Sequence, residues 1–122
     1  MHALASGWTE LAAGACLVAG LMTSFQCAAV VGVMAVAFVT AHRTNGFFIF
    51  RPGQGWDYVA FLALTAVALA GFGPGEFSLD HALGIDGDLD GTVGLAVAAG
   101  LGLAGATALL LACWRPVPVE PA

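Results

Sequence analysis

Apolar residues fill this chain in long runs, and charge interrupts them only at their edges. No Lys, Arg, Asp or Glu occurs from Leu11 to Ala41, from Tyr58 to Gly75, or from Gly91 to Trp114. Charge-free apolar runs of about 18 residues or more read as transmembrane helices, because hydrocarbon solvates neither ionised side chains nor unpaired backbone groups. As one helix, the stretch from Trp8 to His42 would be about 52 Å long, well beyond a hydrocarbon core of about 30 Å. The polar break in Leu21-Met22-Thr23-Ser24 divides it into two short spans, about 8–22 and 24–42, joined as a tight hairpin. A third span is expected over about 56–72, stopped by Gly73-Pro74-Gly75, and a fourth over about 92–114, ended by Pro116 and Pro118. The expected fold is therefore an all-α, polytopic bundle of four transmembrane helices. It forms a single domain over residues 1–116, followed by a disordered tail over 117–122.

Composition agrees with this pattern. The chain is 60% hydrophobic and 9% charged, against about 25% charged in ordinary soluble domains, which argues against a soluble module. Its formal charge of −5 is largely local, since most of its eight carboxylates lie between Glu76 and Asp90. With three arginines and no lysine, nucleic acid is excluded as a partner. No basic residue precedes the first apolar run, so that run is expected to stay in the protein as a helix rather than leave as a secretory signal.

Charge also sets the expected orientation. With four spans, Arg43, Arg51 and Arg115 share one side of the bilayer with both termini, and the positive-inside rule makes that side cytoplasmic. Trp8, Trp56 and Trp114 then fall at the same interface. With three spans the arginines would still lie together, but Trp8 would be stranded on the far side. The acidic loop 73–91 faces outward.

Small residues form two ladders on the last span. Gly94, Ala98, Gly102 and Ala106 make one; Ala96, Gly100, Ala104 and Ala108 make the other. Such spacing lets helix backbones approach closely, which drives association in lipid, so this helix is expected to touch neighbours on two sides, within the chain or in another subunit. The first span carries a shorter ladder through Ala12, Cys16 and Gly20.

Candidate chemistry is sparse. Glu10 at the start of the first span, His42 at the end of the second and Asp57 at the start of the third would share one depth, with Arg43 and Arg51 close by. Ionisable groups clustered at a membrane edge are candidate catalytic residues, although acids at helix N-termini and His42 at a helix C-terminus also suit the helix dipoles. Asp86-Gly87-Asp88-Leu89-Asp90-Gly91 matches the start of a calcium-binding loop. Position twelve of that loop is Val97, not the bidentate Glu the motif requires, so Asp86, Asp88 and Asp90 offer at most a loose cation contact. Cys16, Cys27 and Cys113 form no CxxC pair and read as small buried side chains, with a Cys16–Cys27 redox pair as the alternative. A bis-histidine haem site would need two imidazoles at one depth, whereas His42 and His81 fall at opposite ends. No cofactor is expected.

Several motifs taken together resemble the DoxX family of small bacterial membrane proteins. They are Gly7-Trp8-Thr9-Glu10-Leu11, Gly20-Leu21-Met22-Thr23, His42-Arg43-Thr44-Asn45-Gly46-Phe47-Phe48, Trp56-Asp57-Tyr58, and Gly73-Pro74-Gly75-Glu76-Phe77-Ser78-Leu79-Asp80. The resemblance implies a four-helix protein of the bacterial cytoplasmic (inner) membrane linked to redox chemistry, acting as a non-catalytic anchor or scaffold. Its partners would be the lipid bilayer, other membrane or soluble redox subunits, or further copies of itself. Two departures accompany it: the family usually has a helix before the Trp8–Glu10 segment, and the last span lies beyond the usual family core. The alternatives are a quinone-linked oxidoreductase subunit using Glu10, His42 and Asp57, and a protein for small-molecule or lipid permeation.

Overall fold

The computed structural model describes residues 2–48, 50–85, 87 and 91–115, and among these the chain is all-helical. Helix α1 spans His2–Ala19 and α2 spans Thr23–Ala37, continuing into a π-helical turn over Phe38–His42. Helix α3 spans Asp57–Phe72, the short α4 Leu79–Leu83, and α5 Gly91–Cys113. Two continuous stretches, Thr23–His42 and Gly91–Cys113, are long and apolar enough to cross a membrane. Helices α1 and α3 are apolar but shorter. The tail 117–122 lies outside the described residues.

The first helix corrects the expected boundaries. It starts at His2 rather than near Trp8: Ser6, the N-cap-type residue ahead of Trp8, lies inside the helix and donates to Glu10 Oε1 at 3.1 Å instead of capping a start. It stops at Ala19 rather than Met22. Gly20 takes φ +67, its N–H donates to Leu17 O at 3.1 Å, and Leu21 N–H donates to Cys16 O at 2.9 Å. This paired ending on a left-handed glycine satisfies the last carbonyls of α1.

A long-range contact starts the next helix. Met22 is left-handed at φ 48 and provides no side-chain cap. The cap is Asp80, 3% exposed, whose Oδ1 accepts Met22 N–H at 2.6 Å and whose Oδ2 accepts Thr23 N–H at 2.9 Å. Asp80 N–H in turn donates to Gly20 O at 2.9 Å. Gly20 packs so tightly on Ser78 that a Cβ there would overlap the serine side chain. The Gly73–Asp80 connection is thus stitched to the α1–α2 hairpin. Short α4 follows from it: Ser78 Oγ accepts His81 N–H at 3.1 Å and caps the turn.

Helix α2 is the centre of the bundle, packing on α1, α3 and α5, and α3 also packs on α5. The ladder Gly94, Ala98, Gly102 and Ala106 is the buried face of α5. At the α2–α5 crossing the backbones meet: a Cβ on Gly102 would lie 2.7 Å from both Ala28 O and Val31 Cβ, and one on Gly32 would lie 3.2 Å from Gly102 O. The second ladder, Ala96, Gly100, Ala104 and Ala108, is exposed along its whole length.

Side-chain size is sorted in reverse of a soluble domain. The buried core is Ala13, Cys27, Ala28, Val31, Val59, Ala66, Ala70, Ala98 and Ala106, with Cys27 its largest fully buried side chain. The large apolar residues point outward, Val18 at 92% and Phe72 at 88% exposure among them.

Candidate functional site

At the end of the bundle opposite the Asp80 contact, the 43–56 connection folds into a compact loop. Asn45 Nδ2 donates to Ala41 O at 2.7 Å and to Gly53 O at 2.6 Å, tying the end of the π turn to the far limb. Trp56 N–H donates to Gly46 O at 3.1 Å and Asp57 N–H to Phe47 O at 2.9 Å. Trp56 stacks edge-on with Phe38 and Phe47, at centroid distances of 5.7 and 4.8 Å. Gly55 is required where the two limbs touch, since a Cβ there would overlap the Phe47 carbonyl. The Arg51 guanidinium lies 5.9 Å from the Phe48 ring centroid and that of Arg43 lies 6.0 Å from the Trp114 ring centroid. The second contact brings the end of α5, and with it Arg115, to the same end as the loop.

Two of the candidate catalytic residues flank this loop. His42 closes the π turn, and its Nδ1–H donates to Gln54 O at 2.9 Å. Asp57 opens α3 with its Oδ1 accepting Tyr58 N–H at 2.8 Å, the placement a helix dipole favours. The His42 side chain thus holds the loop, whereas the Asp57 carboxylate bonds within the first turn of α3.

Glu10 lies elsewhere. Because α1 begins at His2, this residue is mid-helix. Measured from the α1–α2 turn, it sits about 13 Å short of His42 along the bundle, at ~1.5 Å per residue. It lines a groove of about 790 Å³ between α1, α2 and α5, level with Gly32 and Val33. The groove arises because α1 is docked through its second half, where Ala13 is buried, while Ala3, Leu4, Ala5 and Gly7 to Ala12 are exposed. Among the described residues, its walls are apolar save for Ser6, Thr9, Glu10 and Thr40. Ser6 Oγ donates to Glu10 Oε1 at 3.1 Å. The sequence placed Glu10 at a membrane edge, and only the unmarked upstream helix start moves it inward.

Among the described residues, no three His, Cys, Asp or Glu side chains converge as a metal-ligating set. Asp86, Asp88 and Asp90 lie outside the described residues. Cys16, Cys27 and Cys113 are all free thiols, half-buried, buried and exposed respectively. No family model, curated protein or solved structure matches the chain, so the DoxX resemblance rests on the motifs alone.

Proposed function

We propose that this chain is a four-span protein of the bacterial inner membrane that serves as a non-catalytic anchor or scaffold for a redox-associated complex. The observation that carries the membrane reading is the inverted sorting of side chains, with small residues inside and large apolar ones outside. Lipid tails are as apolar as a protein core, so burying large hydrophobes gains little, and close backbone approach holds the bundle together. Two of the four spans are the long apolar stretches. The shorter α1 and α3, about 27 and 24 Å by helical rise, cross by thinning the bilayer locally. The gathering of Arg43, Arg51 and Arg115 toward one end supports a cytoplasmic location for that end and for both termini.

The scaffold role is supported by α5. One of its small-residue ladders is buried against α2 and α3, and the other presents a second close-approach surface that no described residue covers. The quinone-linked alternative has less support, because its three groups fall at two depths.

Affinity purification from native membranes in mild detergent tests the role. A redox enzyme is expected to co-elute at near-stoichiometric yield, and Gly100→Leu, whose new side chain enters open space, is expected to cut that yield at least severalfold without lowering membrane abundance. Recovery of the protein alone, or an unchanged yield with the variant, would count against the reading.

A further inference from the structure

Among the described residues, Glu10 is the only charged one on the walls of the α1–α2–α5 groove. One oxygen accepts the Ser6 hydroxyl, and the other has no hydrogen-bond partner among the described residues. Thr9 and Thr40 donate their hydroxyl protons to Ala5 O and Val36 O of their own helices, both at 2.8 Å. The groove therefore offers an unfilled acceptor in a mostly apolar setting, with no spare side-chain donor among its described lining residues.

We propose that this groove binds a small membrane-soluble organic amine, its apolar body against Ala28, Gly32, Val36 and Gly105 and its nitrogen on the Glu10 carboxyl group. Three observations select this occupant. An acid paired with an amine is neutral as a unit, whereas a lone charge at mid-span is costly. The volume of about 790 Å³ falls within the roughly 300–1,000 Å³ of small-molecule sites; a spanning helix about 30 Å long and 10–12 Å across needs several times more. Glu10 also stands about 12 Å from the start of α1, too deep for the headgroup amine of a bilayer lipid. The inference rests on the multi-pass reading for that depth and is independent of the scaffold role.

The test uses the full chain in phosphatidylcholine nanodiscs. Isothermal titration calorimetry would follow 3,3-diphenylpropylamine and its neutral analogue 3,3-diphenylpropanol, with empty nanodiscs subtracted. The amine is expected to bind saturably and about tenfold or more tighter than the alcohol, the worth of a hydrogen bond to a charged group. Glu10→Gln is expected to remove that preference. Gly105→Leu, which fills open space on the groove wall, is expected to abolish binding of both compounds at an unchanged thermal midpoint. Equal binding of amine and alcohol, or parent-like selectivity in Glu10→Gln, overturns the proposal. Crosslinking at position 10 in native membranes that captures a partner helix bearing Lys or Arg would overturn it too. A chain that does not enter nanodiscs removes the depth argument and overturns it as well, whereas failure of the scaffold role leaves these titrations unchanged because no partner is present.

Discussion

Asp80→Ala is expected to destabilise the protein by about 2–4 kcal/mol, because two backbone N–H groups at the start of α2 lose a charged acceptor at once. The pair is buried: Asp80 is 3% exposed and Thr23 is 4% exposed, so water does not readily replace the carboxylate. The loss extends beyond a helix cap. Met22 is held at φ 48, a conformation a bulky residue adopts only when its surroundings over-determine it, and the 2.6 Å bond from its N–H to Asp80 Oδ1 is the closest such constraint. Releasing it frees the turn that sets the angle between α1 and α2. Asp80→Asn is the sharper test of mechanism. It preserves size but turns one of the two acceptor oxygens into a donor facing an N–H, so it should lose nearly as much as alanine. Thermal unfolding in detergent, read by helical circular dichroism, would show it. A parent-like midpoint for both variants would mean that the contact does not support the fold.

The second large effect is expected at the α2–α5 crossing. Even Gly102→Ala places a methyl group 2.7 Å from Ala28 O and Val31 Cβ, and the two backbones must separate to admit it. Overpacking of this kind typically costs about 1–3 kcal/mol. Gly102→Leu should prevent the bundle from closing, seen as loss of monodisperse protein after extraction. Gly100 and Gly105, two and three residues away on the same helix, are the internal controls: a Cβ at either meets nothing within 4 Å, and leucine there should be tolerated. If Gly102→Leu and Gly105→Leu behaved alike, helix propensity rather than close packing would govern α5.

The contrast between those glycines was partly legible in the sequence. A four-residue spacing of small side chains marks faces that permit close approach, and both ladders on α5 were visible in this way. Which ladder α2 takes was not, because that depends on the rotation of α5 about its own axis, and both ladders offer the same chemistry. Breakers read well for a related reason. Gly73-Pro74-Gly75 ends a helix by backbone chemistry alone, and α3 stops at Phe72 as expected.

Features that depend on distant partners were hidden. The cap on α2 comes from a residue 57 positions from Thr23, and nothing in Leu21-Met22-Thr23-Ser24 announces a carboxylate arriving from another connection. Asp80 itself reads as one more acid in an acidic loop. Short α4 was missed because a five-residue helix leaves no periodicity to detect. The π turn at Phe38–His42 was equally silent: no residue in it marks the wider winding, and its end is held by Asn45 and Gln54 from the following loop.

Glu10 shows how a boundary error becomes a chemical one. Starting α1 near Trp8 put the carboxylate at a membrane edge beside His42 and Asp57. Starting it at His2 puts the same group in mid-helix, facing a groove that exists only because the first half of α1 stands away from α2 and α5. Ser6 and Gly7 are the cap-type residues of this segment and point to a start near Trp8, whereas Ala3, Leu4 and Ala5 carry no signal that would place it earlier.

The most direct test of the central reading is the side of the membrane on which each connection lies. Single cysteines introduced at Thr44 in the 43–56 loop and at Glu76 in the Gly73–Asp80 connection would be probed in intact cells with a membrane-impermeant maleimide, the native chain serving as the blank for Cys16, Cys27 and Cys113. The four-span reading requires Glu76→Cys to label from outside and Thr44→Cys to label only after permeabilisation. Labelling of both positions from the same side would contradict it.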